Sequence, residues 1–400
     1  MSNFQVLIVE DQPFQLAYLE NLFRDIGVKK IELAENGNEA MMKLESQGFD
    51  LILTDLMMPE LDGIQFIQRL AELEVRPALA IMSTSSRKIM AGACLVANAL
   101  GIDVLEQISK PVMPSAISAL MIKLKNLSKV RPCSVHTSRK FSRKRLLSAI
   151  SSGQLQAWFQ PKKSLQNGSI VSAEALVRWV CPELGILQPG QFLKSIELAG
   201  LEEELLFLMI EQTVLAQACW LEQGFQVPVS INLSPHLLDR QYLPDLICEQ
   251  VIRFGGSTKN ICFELTEDTM PSVPSNYVAG ACRLRMKGFG LSQDDFGNGY
   301  SSFYNLVATP FTELKIDRAL IYNCVEDEGV ASALKSIIKL GRELGLDVVA
   351  EGVETQEQLA LLRQFECHAV QGFFISKAIP PDSFMKILFD DNPLGYTKPS

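Results

Sequence analysis

Short apolar runs alternate with helix-period segments along almost all of this sequence. A chain so patterned buries its strands most simply as parallel sheets covered by helices. In the first third the runs are FQVLIVE (4–10), IELAE (31–35), FDLILTD (49–55), ALAIMS (78–83) and VLEQIS (104–109), a helical segment following each. Five such units predict a doubly wound parallel sheet. The alternation then breaks at KVRPCSVHTSRKFSRKR (129–145), which is basic, polar and poor in large apolar residues, and resumes afterwards.

The second part begins differently. AWFQPKK and SIVSAEALVRW flank Asn167-Gly168, a hairpin signal, so the first two strands should be antiparallel. After a long helical stretch from Gln191 to Trp220 come VPVSINLS, NICFELTE, GFGLSQDD, ELKID, LDVVAEG and AVQGFFIS. Eight strands predict a closed (β/α)8-like barrel with an antiparallel first strand. The expected organisation is a first domain over 1–124, a linker over 125–144, a second domain over 145–390 and a tail over 391–400.

Composition narrows the function. Four hundred residues exceed one ordinary core. A net charge of −9 argues against broad affinity for nucleic acid or anionic membranes, and no segment resembles a DNA-binding domain. Nine cysteines without a C-x-x-C pair suit reduced thiols in the cytoplasm. The acidic pair soon after the start argues against a signal peptide, and LLFLMI, the longest apolar block, suits a core helix rather than a membrane span.

Polar residues end the strands where a parallel sheet or barrel places its site. In the first domain these are Glu10 and Asp11, then Asp55, Ser83 and Lys110. Three carboxylates suit Mg²⁺, with a lysine and a hydroxyl beside them. In the second domain they are Glu174, Asn232, Glu264, Asp294 with Asp295, Lys315, Glu351 and Gln371. Any one alone reads as a solvated strand end; the set at successive strand ends does not. Oxygen donors without histidine or cysteine favour Mg²⁺ or Mn²⁺ over zinc, and adjacent aspartates can serve two ions, one carboxylate bridging.

The first domain resembles a response-regulator receiver, with its flavodoxin-like fold, on Glu10-Asp11, the DLMMPELDG run from Asp55, Ser83 and Lys110-Pro111. The resemblance implies a Mg²⁺ site at Glu10, Asp11 and Asp55, phosphoryl transfer to Asp55 from a histidine kinase, and a switch through Ser83 and Lys110. Gln107 stands where many receivers carry an aromatic residue.

The second domain resembles the EAL domain of cyclic-di-GMP phosphodiesterases, on EALVR (174–178), NLS (232–234), ELTE (264–267), DDFGNGYSS (294–302), LKID (314–317), AEGVET (350–355) and QGF (371–373). The resemblance implies that Glu174, Asn232, Glu264, Asp294 and Asp295 ligate two Mg²⁺ or Mn²⁺ ions, with Glu351 at the second. Lys315 would sit beside the attacking water and Gln371 would place water or substrate. Gln160, Leu176 and Arg178 would contact substrate, and Glu267 would anchor the loop after Asp295. The product implied is linear 5′-pGpG, in a homo-oligomer of dimer size or larger whose receiver modulates turnover. Glu366 and Ala378 replace a usual glycine and proline, and Asn298 and Phe303 a usual Thr or Ala and a usual Leu. The alternative function is a cyclic-di-GMP receptor that binds without cleaving and acts through a protein partner.

Overall fold

The computed structural model describes residues 4–73, 77–84, 87–102, 104–130, 141–266, 274–297 and 303–391. The chain divides into two compact units, Met1–Val135 and His136–Ser400.

In the first unit, β1 (Gln5–Val9), β2 (Lys30–Ala34), β3 (Leu51–Asp55), β4 (Ala78–Ser83) and β5 (Val104–Ser109) form one parallel sheet in the order β2-β1-β3-β4-β5. Continuous apolar runs make sense because both faces are covered. Leu7 and Val9 of β1 join the core that contains Phe66 and Ile67, whereas Val6 and Ile8 join Phe23 and Leu120 on the other side. The last helix, Pro114–Val130, runs past the boundary expected at residue 124. No glycine or proline interrupts the chain between Pro114 and Pro132, so nothing stops the helix earlier. The next described helix, Arg143–Ser151, begins just inside the expected linker, with the Ser142 hydroxyl accepting from the Arg145 amide at 3.3 Å. Between them, residues 131–140 lie outside the described residues, as do 392–400 of the expected tail.

The second unit contains β6 (Leu155–Ser164), β7 (Ile170–Cys181), β8 (Gly185–Leu187), β9 (Val229–Asn232), β10 (Ile261–Thr266), β11 (Gly290–Phe296), β12 (Glu313–Ile316), β13 (Asp347–Ala350) and β14 (Ala369–Val370). Strands β7 and β9 to β14 pair in parallel, and β6 closes the ring antiparallel to both β14 and β7. The eight expected strands thus close into the barrel. The short β8 lies outside it, on the edge of β7.

Two local readings need correction. The helical stretch after Gln191 is interrupted at Gly200, whose φ of +62° suits a glycine, leaving helices Leu193–Leu198 and Glu202–Glu222. The second of these is long and apolar enough to cross a membrane by length and composition alone, yet it packs as a core helix, as expected of LLFLMI. Its Leu206, Met209, Ile210, Val214 and Trp220 are buried in the barrel's own core. AVQGFFIS forms only two residues of strand, because the chain turns at Gly372 to lie against the segment after β13. A Cβ on Gly372 would sit 2.2 Å from the Val353 carbonyl oxygen, and Phe374 donates to that same oxygen at 3.0 Å.

Glu366, standing for a glycine, has φ +58° just past helix Gln356–Gln364. Cys367 N donates to Leu362 O and Glu366 N to Arg363 O, both at 3.0 Å, the paired bonds of a Schellman turn. A left-handed non-glycine costs about 1–2 kcal/mol. Glu366→Gly is expected to raise the melting temperature through relief of about 1 kcal/mol, because the exposed pair it gives up with Arg342 stabilises by less. A melting curve at or below wild type would show that the pair outweighs the strain.

Candidate functional site

In the first unit, β1 and β3 end at the same edge of the sheet. Glu10, Asp11 and Asp55 each offer an oxygen within 4.8 Å of the others. Lys110 Nζ lies 2.7 Å from Glu10 Oε2 and 2.5 Å from Asp55 Oδ2. Burial by itself would lower the lysine pKa, but bonding to Asp55 and Glu10 raises it, so the ammonium stays charged. Burial raises the pKa of Glu10. Asp55 Oδ1 accepts from the amide of Leu56 at 2.6 Å, which orients the carboxylate. Asp11 Oδ1 is buried without a hydrogen-bond partner, an orphan that suits a cation ligand. Ser83, buried at the end of β4, completes the edge.

The barrel site is built from the carboxyl ends of its parallel strands. Lys315 of β12 is buried at the centre, its Nζ 2.6 Å from Glu264 Oε2, 2.6 Å from Glu351 Oε1, 2.9 Å from Asp294 Oδ1 and 3.5 Å from Glu174 Oε2. Asn232 donates to Glu174 Oε1 at 3.1 Å and Gln371 to Glu174 Oε2 at 2.6 Å, so both neutral amides hold Glu174.

Asp294 and Asp295 pose a geometric problem, since neighbours on a strand point to opposite faces. The structure solves it with a break in register between β11 and β12, from Gln293 to Phe296, and with Asp295 at φ +54°. The irregularity swings both side chains to one place, where oxygens of Asp294, Asp295 and Glu351 lie within 4.8 Å of one another.

Too many acids surround one lysine. Burial, then the charge of Glu264, pushes Glu174 up to about 7. Burial, then Asp294 and Asp317, pushes Asp295 up to about 7. Asp294 is raised and Glu351 is raised strongly, both chiefly by burial. Lys315 responds oppositely: burial would lower its pKa, but Glu174, Glu264, Glu351 and Asp294 raise it well above the ordinary value. Glu264 alone is pulled down, to about 2, because Lys162 and Lys315 together outweigh its burial. The donor set is all oxygen and carries surplus negative charge. Asp294 Oδ1 and Glu351 Oε1 are buried, with the Lys315 ammonium as their counter-charge. These residues fit a pair of hard divalent cations.

Lys162 and Glu313 escaped the sequence reading. Lys162 is completely buried and its Nζ lies 2.9 Å from Glu264 Oε1, 2.7 Å from Glu313 Oε1 and 2.8 Å from Ser230 Oγ. One signal was available: Lys162 is two residues after Gln160 and so shares its face of β6.

Residues 143–378 match the family model of the EAL domain. The chain belongs to the EAL-domain family. Residues 6–121 match the response regulator receiver domain, so a receiver precedes the EAL domain. Cyclic di-GMP phosphodiesterase RocR of Pseudomonas aeruginosa is 30% identical over 387 residues, 96% of this chain and 98% of RocR. The oxygen sensor protein DosP of Escherichia coli is 35% identical over 243 residues, covering 59% of this chain and only 30% of DosP. Among solved structures, the PaMucR phosphodiesterase in complex with c-di-GMP is similar with a TM-score of 0.57 and 33% identity, over 60% of this chain and 97% of that one.

Within the EAL domain, Glu174 and Leu176 line one wall of a cavity of about 620 Å³ beside Lys315's cluster, with Asn232, Glu264, Lys194 and His236 among the others. Arg178 is half buried further along β7 and donates to the Val177 carbonyl at 2.9 Å. Gln160, expected at the substrate, has both ends of its amide engaged, donating to Ser376 O at 3.0 Å and accepting from Gln371 at 3.1 Å. The structure gives it a bracing contact on Gln371. Glu267 and residues 298–302 of the DDFGNGYSS segment lie outside the described residues.

Proposed function

We propose that this chain is a two-component response regulator that hydrolyses cyclic-di-GMP to linear 5′-pGpG. The observation that carries this is the convergence of Glu174, Asn232, Glu264, Asp294, Asp295 and Glu351 about Lys315, beside an open cavity. The names borne by RocR and the PaMucR complex support the substrate. Asp294, Asp295 and Glu351 would hold one Mg²⁺ or Mn²⁺ ion, and Glu174, Asn232 and Glu264 would help to hold another. Bound there, the ions would supply Lewis-acid stabilisation of the phosphoryl charge and a nucleophilic water at neutral pH. They would also invert the sign of a site that otherwise repels an anionic substrate.

The chain's own groups do the positioning. Lys315, held among Glu174, Glu264, Glu351 and Asp294, donates hydrogen bonds and supplies positive charge at the centre of the site. Gln371, braced by Gln160, fixes the Glu174 carboxylate. Leu176 and Arg178 extend along the same strand for the substrate's bases and phosphate. Water adds to phosphorus, the P–O3′ bond breaks, and the leaving oxygen takes a proton, giving one 5′-phosphate and one free 3′-hydroxyl.

A chromatographic time course with cyclic-di-GMP and Mg²⁺ or Mn²⁺ tests this. Accumulating pGpG, lost in Glu174→Ala, is the expected result; intact substrate despite measurable binding would favour a non-cleaving receptor. In the receiver, Glu10, Asp11 and Asp55 would hold Mg²⁺ while Asp55 accepts a phosphoryl group from a histidine kinase, with Ser83 and Lys110 contacting its oxygens. Phosphorylation would modulate the barrel's turnover through contacts in a homo-oligomer. Identical turnover and oligomeric state for Asp55→Asn and phosphodonor-treated wild type would end that part of the proposal.

A further inference from the structure

We propose that Lys162 is a positioning residue for metal binding: from beneath the site it fixes one oxygen of Glu264 so that the other faces the ions. This rests on the metal-dependent reading of the barrel above.

Lys162 has no exposure to solvent, and its three ammonium donors meet three acceptors: Glu264 Oε1 at 2.9 Å, Glu313 Oε1 at 2.7 Å and Ser230 Oγ at 2.8 Å. An ammonium so placed has no spare donor. Glu264 is equally buried, and its two oxygens are divided, Oε1 to Lys162 and Oε2 to Lys315 at 2.6 Å. Lys315 belongs to the cluster at the carboxyl ends of the strands. Lys162 lies lower in the barrel, against Ser230 near the middle of β9 and Glu313 at the start of β12. Glu264 is therefore held from opposite sides by two cations, and only the Lys315 side opens toward Asp294, Glu351 and the cavity.

The consequence concerns geometry. A buried carboxylate held at one oxygen presents the second in a defined direction, whereas one free to rotate would turn both oxygens on Lys315 and draw that lysine from Asp294 and Glu351. Groups that orient a ligating residue in this way commonly change metal affinity by roughly 10–100-fold. The adjacent Lys163 serves as the contrast. It faces outward, one-third exposed, and pairs with Asp391 at 2.7 Å, away from the site.

The test is Mn²⁺ binding to the metal-free full-length protein, followed by electron paramagnetic resonance, for wild type, Lys162→Met and Lys163→Met, each carrying Asp11→Asn so that the cation site of the first unit does not contribute. Melting curves and cyclic-di-GMP kinetics across a Mn²⁺ titration accompany it. Lys162→Met is expected to weaken Mn²⁺ binding roughly tenfold or more and to raise the Mn²⁺ needed for half-maximal turnover in step. Lys163→Met should bind as wild type. A purely structural role would lower the melting temperature and leave the Mn²⁺ affinity of the folded fraction unchanged, and that result overturns the inference. Should Lys162→Met fail to fold, Ser230→Ala decides. It frees one ammonium donor, and roughly threefold weaker binding is expected from losing one hydrogen bond; wild-type affinity would refute the proposal. Absence of Mn²⁺ binding to wild type would instead remove the metal reading itself.

Discussion

Lys315→Met will lower the rate of cyclic-di-GMP cleavage roughly 10²–10³-fold at saturating Mn²⁺, the loss typical of removing one preorganised charge from a reaction centre. Methionine keeps the length and most of the volume of the side chain, so packing around Leu314 and Ile316 should survive. What disappears is the ammonium that touches Glu174, Glu264, Asp294 and Glu351 within 3.5 Å. That ammonium can orient a water and stabilise charge developing on phosphate, and both effects belong to the transition state. The loss should therefore fall on kcat, with little change in KM. Without Lys315, bound cations become the main local counter-charge to these acids, so the variant should depend more on metal for its folding. Initial rates by chromatography, with metal-free and metal-loaded melting curves, check both points. A variant within about fivefold of wild type would show that the ions alone hold the reacting groups.

Without divalent cations, the barrel will lose stability as pH rises from about 4 to 7. Glu174 is pushed from an ordinary 4.5 to about 7, and Asp295 from 3.8 to about 7, burial being the largest cause for each. For a carboxyl group raised in the fold, the native state keeps a proton that the unfolded chain has already released. Stability is then full below the unfolded pKa and falls until pH passes the folded pKa. Glu174 alone accounts for a loss on the order of a few kcal/mol across that window. Glu264 works in the opposite sense, since its folded value of about 2 makes it stabilising above 4.5 and lost as pH falls further. The metal-free optimum should thus lie near pH 4–5. Excess Mg²⁺ should flatten or reverse the slope above it, because cations replace protons as counter-charge. Melting curves in chelator from pH 4.5 to 8, repeated with Mg²⁺, measure this. Stability that rises with pH in chelator would mean that the acids are relieved by solvent rather than by protons.

Much of this protein was written locally. The five strands of the sheet and the eight of the barrel follow from the alternation of apolar runs with helical segments, which survives without knowledge of any distant contact. Strand-end acids were legible for the same reason: Glu10, Asp55, Glu174 and Glu264 each interrupt an apolar run where burial would otherwise continue. The short β14 was not, because AVQGFFIS has the composition of a strand and only the approach of Val353 turns it at Gly372. The division of the helical stretch at Gly200 and the continuation of Pro114–Val130 show the usual weakness at element ends, where few residues decide.

What the sequence alone determined was which residue types arrive at the strand ends, because strand period and chain order bring them there. Tertiary structure decided which of them act together. Strand period puts Lys162 and Lys163 on opposite faces of β6, yet only barrel closure decides which face is inside, burying the first against Glu264 and leaving the second outside with Asp391. Nothing in QDDFG says that neighbouring aspartates share a face, yet a break in register and one left-handed residue bring both oxygens to Glu351. Both outcomes depend on where another strand lies, and a pairing partner distant in the chain leaves no mark on the local sequence.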